Sequence, residues 1–214
     1  MTEALRQAML AAADALDGAR AELGALDGAA GDGDHGMTMS IGARNVRRRL
    51  AELADGASAG QLVRAVVTAM GGVGGAIGPL YAAGLGAIVT ELESEDGSDR
   101  LVARLYRATA AAEAAVSRLG HAVPGDKTVL DALDPLVASL RAAESAGLEV
   151  DTALDGAVQA ADDGVAATAA MVARIGRASR LGERSRGQPD AGARSLAIIA
   201  RAMALSVRQV PGAG

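Results

Sequence analysis

The sequence predicts an all-α protein built as a single domain over residues 1–214. Apolar residues recur every three or four positions in one run after another, and no stretch alternates with the two-residue period of a half-buried strand. Small residues dominate: Ala occupies 52 positions and Gly 28, there is no Phe or Trp, and Tyr81 and Tyr106 are the two aromatics. Ala favours helix and lets helices approach closely, so Leu, Val, Ile and Met must supply most of the apolar burial.

About eight helices follow in order. Residues 3–23 carry Leu5, Met9, Ala12 and Leu16 on one side, and Gly24 with the following LDGAAGDGDHG is expected to interrupt them. A second run covers 38–54, so the acidic segment should form a loop between helices. A third starts at Ser58 and stops before Gly71 and Gly72. A fourth begins near Leu80, although Gly84 and Gly86 weaken it. SEDGSD at 94–99 reads as a solvated turn that caps the next helix, whose apolar side is Leu105, Ala108, Ala112, Ala115, Val116 and Leu119. Asp126 or Thr128 opens a helix with Leu130, Leu133, Leu136, Val137 and Leu140, with Pro135 bending it or moving its start later. Residues 151–174 form the next helix. A broken loop then leads to a terminal helix with Leu196, Ile199, Ala200, Met203 and Ala204.

Composition excludes several functions. The net charge of −5 and the near absence of aromatics oppose a nucleic-acid surface. With no Cys there is no disulfide, thiolate metal site or cysteine nucleophile. The amino terminus lacks the basic start and compact apolar block of a secretion signal, and no apolar run is long enough to span a membrane; a cytoplasmic protein is expected.

Asp27, Asp32 and Asp34 lie among Gly28, Gly31, Gly33 and Gly36, which let the backbone fold back and aim several carboxylates at one cation. Magnesium takes oxygen ligands and commonly completes its shell with water and substrate phosphate. A calcium hand beginning at Asp32 is excluded, because Met37 falls where its loop needs Gly and Ala43 where it needs Glu. A polar turn that caps the next helix remains the alternative. His35 reads equally as a metal ligand, a phosphate contact, a support for Asp34 or a structural histidine.

GGVGGAIGP, at a helix junction, could expose backbone N–H groups to phosphate, or serve only close packing; it fits neither standard nucleotide fingerprint. In PGDKT, Asp126 is a possible cap, Lys127 a possible anion partner and Thr128 a short polar contact. Residues 174–187 set five arginines against Glu183, a local reversal of the overall charge suited to polyphosphate or an acidic partner, or to a solvated loop. Asp190 could cap the terminal helix or meet a nucleoside hydroxyl.

Together, in this order and spacing, GDGDHG, GGVGGAIGPLY, PGDKT and GRASRLGERSRGQPDAG resemble the nucleotide-binding L subunit of dihydroxyacetone kinase and the homologous C-terminal domain of the fused kinases. The resemblance covers essentially the whole chain. It implies an antiparallel eight-helix barrel that binds ADP or ATP at one end, with two magnesium ions between phosphates and Asp27, Asp32 and Asp34. It further implies that His35 and Thr38 lie at the phosphate end and that Ala76 and Ile77 form a backbone turn beside the phosphates. Gly120, Thr128, Val129, Arg177, Asp190 and Gly192 then fall in the nucleoside pocket. Ile77 stands where family members often have a small hydroxyl residue, and Asp190-Ala191-Gly192 where many have Asp-Pro-Gly.

The implied activity is phosphoryl transfer to dihydroxyacetone or a related short ketose held by a separate K subunit. The donor is either a histidine-phosphorylated protein that recharges bound ADP or, in the other branch, exchanging ATP. An ADP-dependent regulatory or interaction protein of the same fold is the alternative.

Overall fold

The computed structural model describes residues 2–94 and 100–208. Among these residues there are nine α-helices, one 3-10 segment and no strand: α1 Thr2–Gly18, α2 Arg20–Ala30, α3 His35–Ala51, α4 Ala59–Gly71, α5 Ile77–Ser94, α6 Leu101–Gly120, α7 Leu130–Ser145, α8 Val150–Thr168, the 3-10 segment Arg177–Ser185 and α9 Ala191–Arg208. Helix α3 packs on α1, each later helix packs on the one before it, and α9 returns to α1. The all-α, single-domain expectation therefore holds. No helix among the described residues is long and apolar enough to cross a membrane.

The helix count exceeds eight because the first rod bends at Ala19, away from Gly24. Hydrogen bonds still run through the bend, Ala19 N to Ala15 O at 3.0 Å and Leu23 N to Ala19 O at 2.9 Å. Gly24 and Gly28 remain helical in α2, and the acidic turn packs on them at ordinary contact distance. A Cβ on Gly24 would lie 3.6 Å from the Gly33 carbonyl oxygen, and one on Gly28 3.8 Å from Gly33 Cα. The acidic turn thus lies flat along α2, and Asp27 belongs to the helix instead of the loop.

Other boundaries move for local reasons. Helix α3 starts at His35, three residues before the expected start. Its Gly36 crosses α2 so closely that a Cβ would overlap the Arg20 carbonyl. Ser58 does cap α4: its Oγ accepts from Gln61 N at 3.3 Å while Gln61 Oε1 accepts from Ser58 N at 2.7 Å, a capping box. Helix α5 starts earlier than expected, at Ile77, and carries Gly84 against α6. The expected turn at 94–99 lies, apart from Ser94, outside the described residues.

Helix α7 starts at Leu130 and runs through Pro135. Helix α8 ends at Thr168, short of 174. Its Gly164 backs onto Pro135 and the Asp131 carbonyl, so the two helices nearly touch there.

Leu130, Leu133, Leu136, Val137 and Leu140 are all buried, joined by Val116, Ala157, Ala161 and Val165 in one apolar cluster. A second cluster gathers Met9, Leu16, Leu23, Met39, Leu50 and Leu62 between α1 and α5. Leu119 departs from its expected apolar side and is half exposed.

Candidate metal and nucleotide site

The starts of α3, α5 and α7 converge on the first two turns of α9 at one end of the molecule. Ser195, in the second turn of α9 and fully buried, joins the first two to it. Its Oγ lies 3.2 Å from His35 Nε2 at the start of α3 and 3.2 Å from the Tyr81 hydroxyl in α5, and it donates to the Gly192 carbonyl at 2.8 Å. Helix α7 joins through Val129, whose backbone N would lie 3.7 Å from a Cβ on Gly192. The last residue of α6, Gly120, packs against Leu80 of α5.

At the α3 edge, Asp27, Asp32 and Asp34 each offer a carboxylate oxygen, and these atoms lie within 4.8 Å of one another. Asp27, on the last turn of α2, accepts from the His35 backbone N–H at 3.2 Å. Asp34 stands at the N-cap position of α3 but makes no side-chain cap bond. Its carboxylate faces Arg177, with Nη2–Oδ1 at 3.0 Å, and the same guanidinium contacts Asp32. Capping is therefore not what holds Asp32 and Asp34.

The donor set fits a hard divalent cation: three carboxylates, two of them half exposed and open to water or phosphate. Gly31 preserves that space, since a Cβ there would sit 2.5 Å from Asp27 Oδ1. The cluster can hold one magnesium ion.

Burial pushes the His35 imidazole below its usual value near 6.5, against opposing effects from Asp27 and the Ala191 carbonyl, so the ring is neutral at pH 7. Thr38 follows one turn along, its N–H bonded to Asp34 O at 2.9 Å.

The other predicted residues fall into two groups. Ala76 and Ile77 sit where the chain enters α5, one turn before Tyr81, beside Gly74 and Gly75, where an added Cβ would meet nothing within 4 Å. Thr128, Val129, Asp190 and Gly192 lie together where α7 meets α9. Asp190 caps α9 by accepting from Ala193 N at 2.7 Å, and its own N–H donates to Thr168 Oγ1 at 2.9 Å. Burial raises its carboxyl to about 6. Arg177 is placed with the acidic turn instead of this group.

Lys127 is no anion partner. It is 4% exposed, and its ammonium donates to the carbonyls of Ser185 at 2.5 Å, Gln188 at 2.8 Å and Met171 at 3.4 Å. Ser195 and Tyr81, which sequence reasoning missed, lie in an Ala-rich helix and beside a Leu, with no spacing signal to mark them.

A family model described as the DAK2 domain matches residues 29–205. The chain belongs to the DAK2 domain family. This DAK2 chain is 37% identical over 185 residues to the PEP-dependent dihydroxyacetone kinase, ADP-binding subunit DhaL, of Escherichia coli (strain K12), covering 86% of this chain and 87% of that one. It is 40% identical over 196 residues to the D-erythrulose kinase of Mycolicibacterium smegmatis, covering 91% of this chain but 33% of the enzyme. The DAK2 chain thus spans about a third of the length of that longer relative.

Its fold matches the crystal structure of the dihydroxyacetone kinase of C. freundii (native form) with a TM-score of 0.75 at 26% identity, over 96% of this chain and 35% of the other. The same kinase in complex with AMP-PNP and Mg2+ matches with a TM-score of 0.72 at 25% identity, over 96% and 34% of the two chains.

Proposed function

We propose that this chain is the ADP/ATP-binding subunit of a dihydroxyacetone or related short-ketose kinase, with residues 1–214 forming one L-type nucleotide-binding domain. The observation that carries this reading is the meeting of the Asp27–Asp32–Asp34 cluster with the starts of four helices at one end of a DAK2 fold. The near-complete overlap with an ADP-binding subunit supports the same reading. The contact of each helix with its neighbour and of α9 with α1, with the bent α1–α2 rod counted once among the described residues, supports the antiparallel eight-helix barrel of the resemblance. A cytoplasmic setting belongs to the same proposal.

Asp27, Asp32 and Asp34 hold magnesium, two ions in the full proposal, which neutralises phosphate charge when bound. The backbone N–H groups around Ala76 and Ile77 and the polar side chains of His35 and Thr38 face the phosphates. Helix N-termini suit them, because their free N–H groups and dipoles favour anions. Gly120, Thr128, Val129, Asp190 and Gly192 border the nucleoside. His35 contributes as a neutral hydrogen-bonding group, not as a charge.

The residues supply positioning and electrostatic stabilisation, which dominate phosphoryl transfer. The accepting hydroxyl belongs to a K-type partner docked at this end, and the phosphodonor is a histidine-phosphorylated protein or exchanging ATP.

Calorimetric titration of the intact chain with ADP and magnesium tests the reading. Asp32→Asn together with Asp34→Asn should weaken magnesium-supported ADP binding by at least a hundredfold while the helical circular dichroism is retained; unchanged affinity rejects the site. Partner-dependent phosphorylation of dihydroxyacetone separates a kinase subunit from a protein whose interactions ADP merely controls.

A further inference from the structure

Three carboxylates held within 4.8 Å repel one another, and the structure answers that repulsion from within the chain. The guanidinium of Arg177 spans Asp34, with Nη2–Oδ1 at 3.0 Å and Nη1–Oδ2 at 3.4 Å, and also meets Asp32. It occupies both oxygens of Asp34 and one of Asp32, two of the three carboxylates that a cation bound here would share.

Arg177 is the first residue of the 3-10 segment, and the two ends of that segment are fastened differently. At the far end, Ser185 Oγ accepts from Ala173 N at 2.9 Å, Lys127 binds the Ser185 and Gln188 carbonyls, and Gly187 N donates to Ala169 O at 2.9 Å. At the near end, Arg177 ties the segment to the acidic turn. Gly176 and Gly182 bracket this stretch at φ 73° and 55°, values open to glycine at little cost, and a Cβ on either would meet nothing within 4 Å. Residues 177–182 are therefore one flap with a glycine at each end and one charged tether.

We propose that Arg177 is the resident counter-ion of the acidic turn, and that a divalent cation exchanges it off Asp32 and Asp34, releasing residues 177–182. The released guanidinium is then free for an anionic ligand arriving with the cation, so metal binding and flap position are one coupled event. The anion in question rests on the nucleotide reading above; the exchange itself needs only the cation.

Manganese alone, titrated into nucleotide-free protein and followed by paramagnetic resonance, provides the test. The contact is half exposed, so Arg177→Ala should keep the fold and bind manganese roughly three- to tenfold tighter than the parent, because a competitor has been removed. Arg177→Lys should fall between them. Amide exchange at 177–182 should rise on adding manganese to the parent and be high from the outset in Arg177→Ala.

Equal or weaker manganese binding by Arg177→Ala, or a flap whose exchange ignores the metal, overturns the proposal. If those results come with intact magnesium-supported ADP binding, the arginine exchange alone falls. If neither protein binds manganese or ADP, the nucleotide reading falls with it.

Discussion

Gly31 connects one hydrogen atom to the chemistry of the site. A Cβ at that position would lie 2.5 Å from Asp27 Oδ1 and 3.2 Å from Asp27 Cγ, so the carboxylate would have to rotate away. Asp27 is the member of the cluster already oriented by a backbone donor, the His35 N–H. Turning it breaks that bond and withdraws one of three cation ligands. Gly31→Ala should therefore lower magnesium affinity at least tenfold while shifting the melting temperature by only a few degrees, because Gly31 is exposed. Cation titration beside a thermal melt checks this, and undiminished affinity would show that Asp27 is not a ligand. Ser195 makes the complementary point inside the protein: one buried hydroxyl serves His35, Tyr81 and a carbonyl, so it aligns three helix starts where an alanine would leave polar groups unpaired.

Among the elements, Lys127 shows how a side chain can be assigned to the wrong duty. It adopts φ 64°, a left-handed conformation uncommon for lysine, and burial pushes its ammonium below the usual range. In return it gathers three carbonyls from residues 171–188, which contain no α-helix of their own. Lys127→Met should cost about 2–4 kcal/mol in urea unfolding, since the carbonyls lose a charged donor. It should also raise amide exchange across 171–188 well before global unfolding; uniform exchange would refute that anchoring role.

The same elements show what the sequence could reveal. The Leu stripe of α7 and the Ser58–Gln61 box were readable because each depends on residues at most a few positions apart. The start of α7 was readable only in part: Thr128 Oγ1 does accept from Leu130 N at 3.2 Å, but Asp126 accepts from Val123 N instead of opening the helix, and Asp131, inside it, accepts from Gly125 N at 2.5 Å and Thr128 N at 2.7 Å and so fixes the turn before it. Likewise Gly24 and Gly28 look like helix breakers until the turn packed against them is known.

For the whole molecule, the cluster of aspartates was legible as a local run, whereas the contact that completes it joins residues 145 positions apart, Arg177 with Asp32. Ring closure by α9 on α1 brings such distant segments together. Asp190 sits at the start of α9, touching α8 through Thr168 and capping α9, with Asp131 and Lys127 near enough to affect its charge. Burial is the main cause that lifts its carboxyl from an ordinary 3.8 to about 6. The sign follows from proton counting: between about pH 4 and 6 the folded state keeps a proton that the unfolded chain has released, so this group's contribution to stability falls as pH rises through that window and stays low above it. A shift of about two units corresponds to roughly 3 kcal/mol as a ceiling. Asp190→Asn retains an acceptor for Ala193 N but has no charge to desolvate. Its urea stability should exceed that of the parent by about 1–3 kcal/mol at pH 7.5, with the advantage shrinking to nothing near pH 4. Parallel stability curves from pH 4 to 7.5 would show that Asp190 does not titrate as a buried acid. If the curves diverge as argued and the variant also binds ADP less tightly, a carboxylate that weakens the fold at neutral pH is retained for the ligand, the trade expected where stability and function compete.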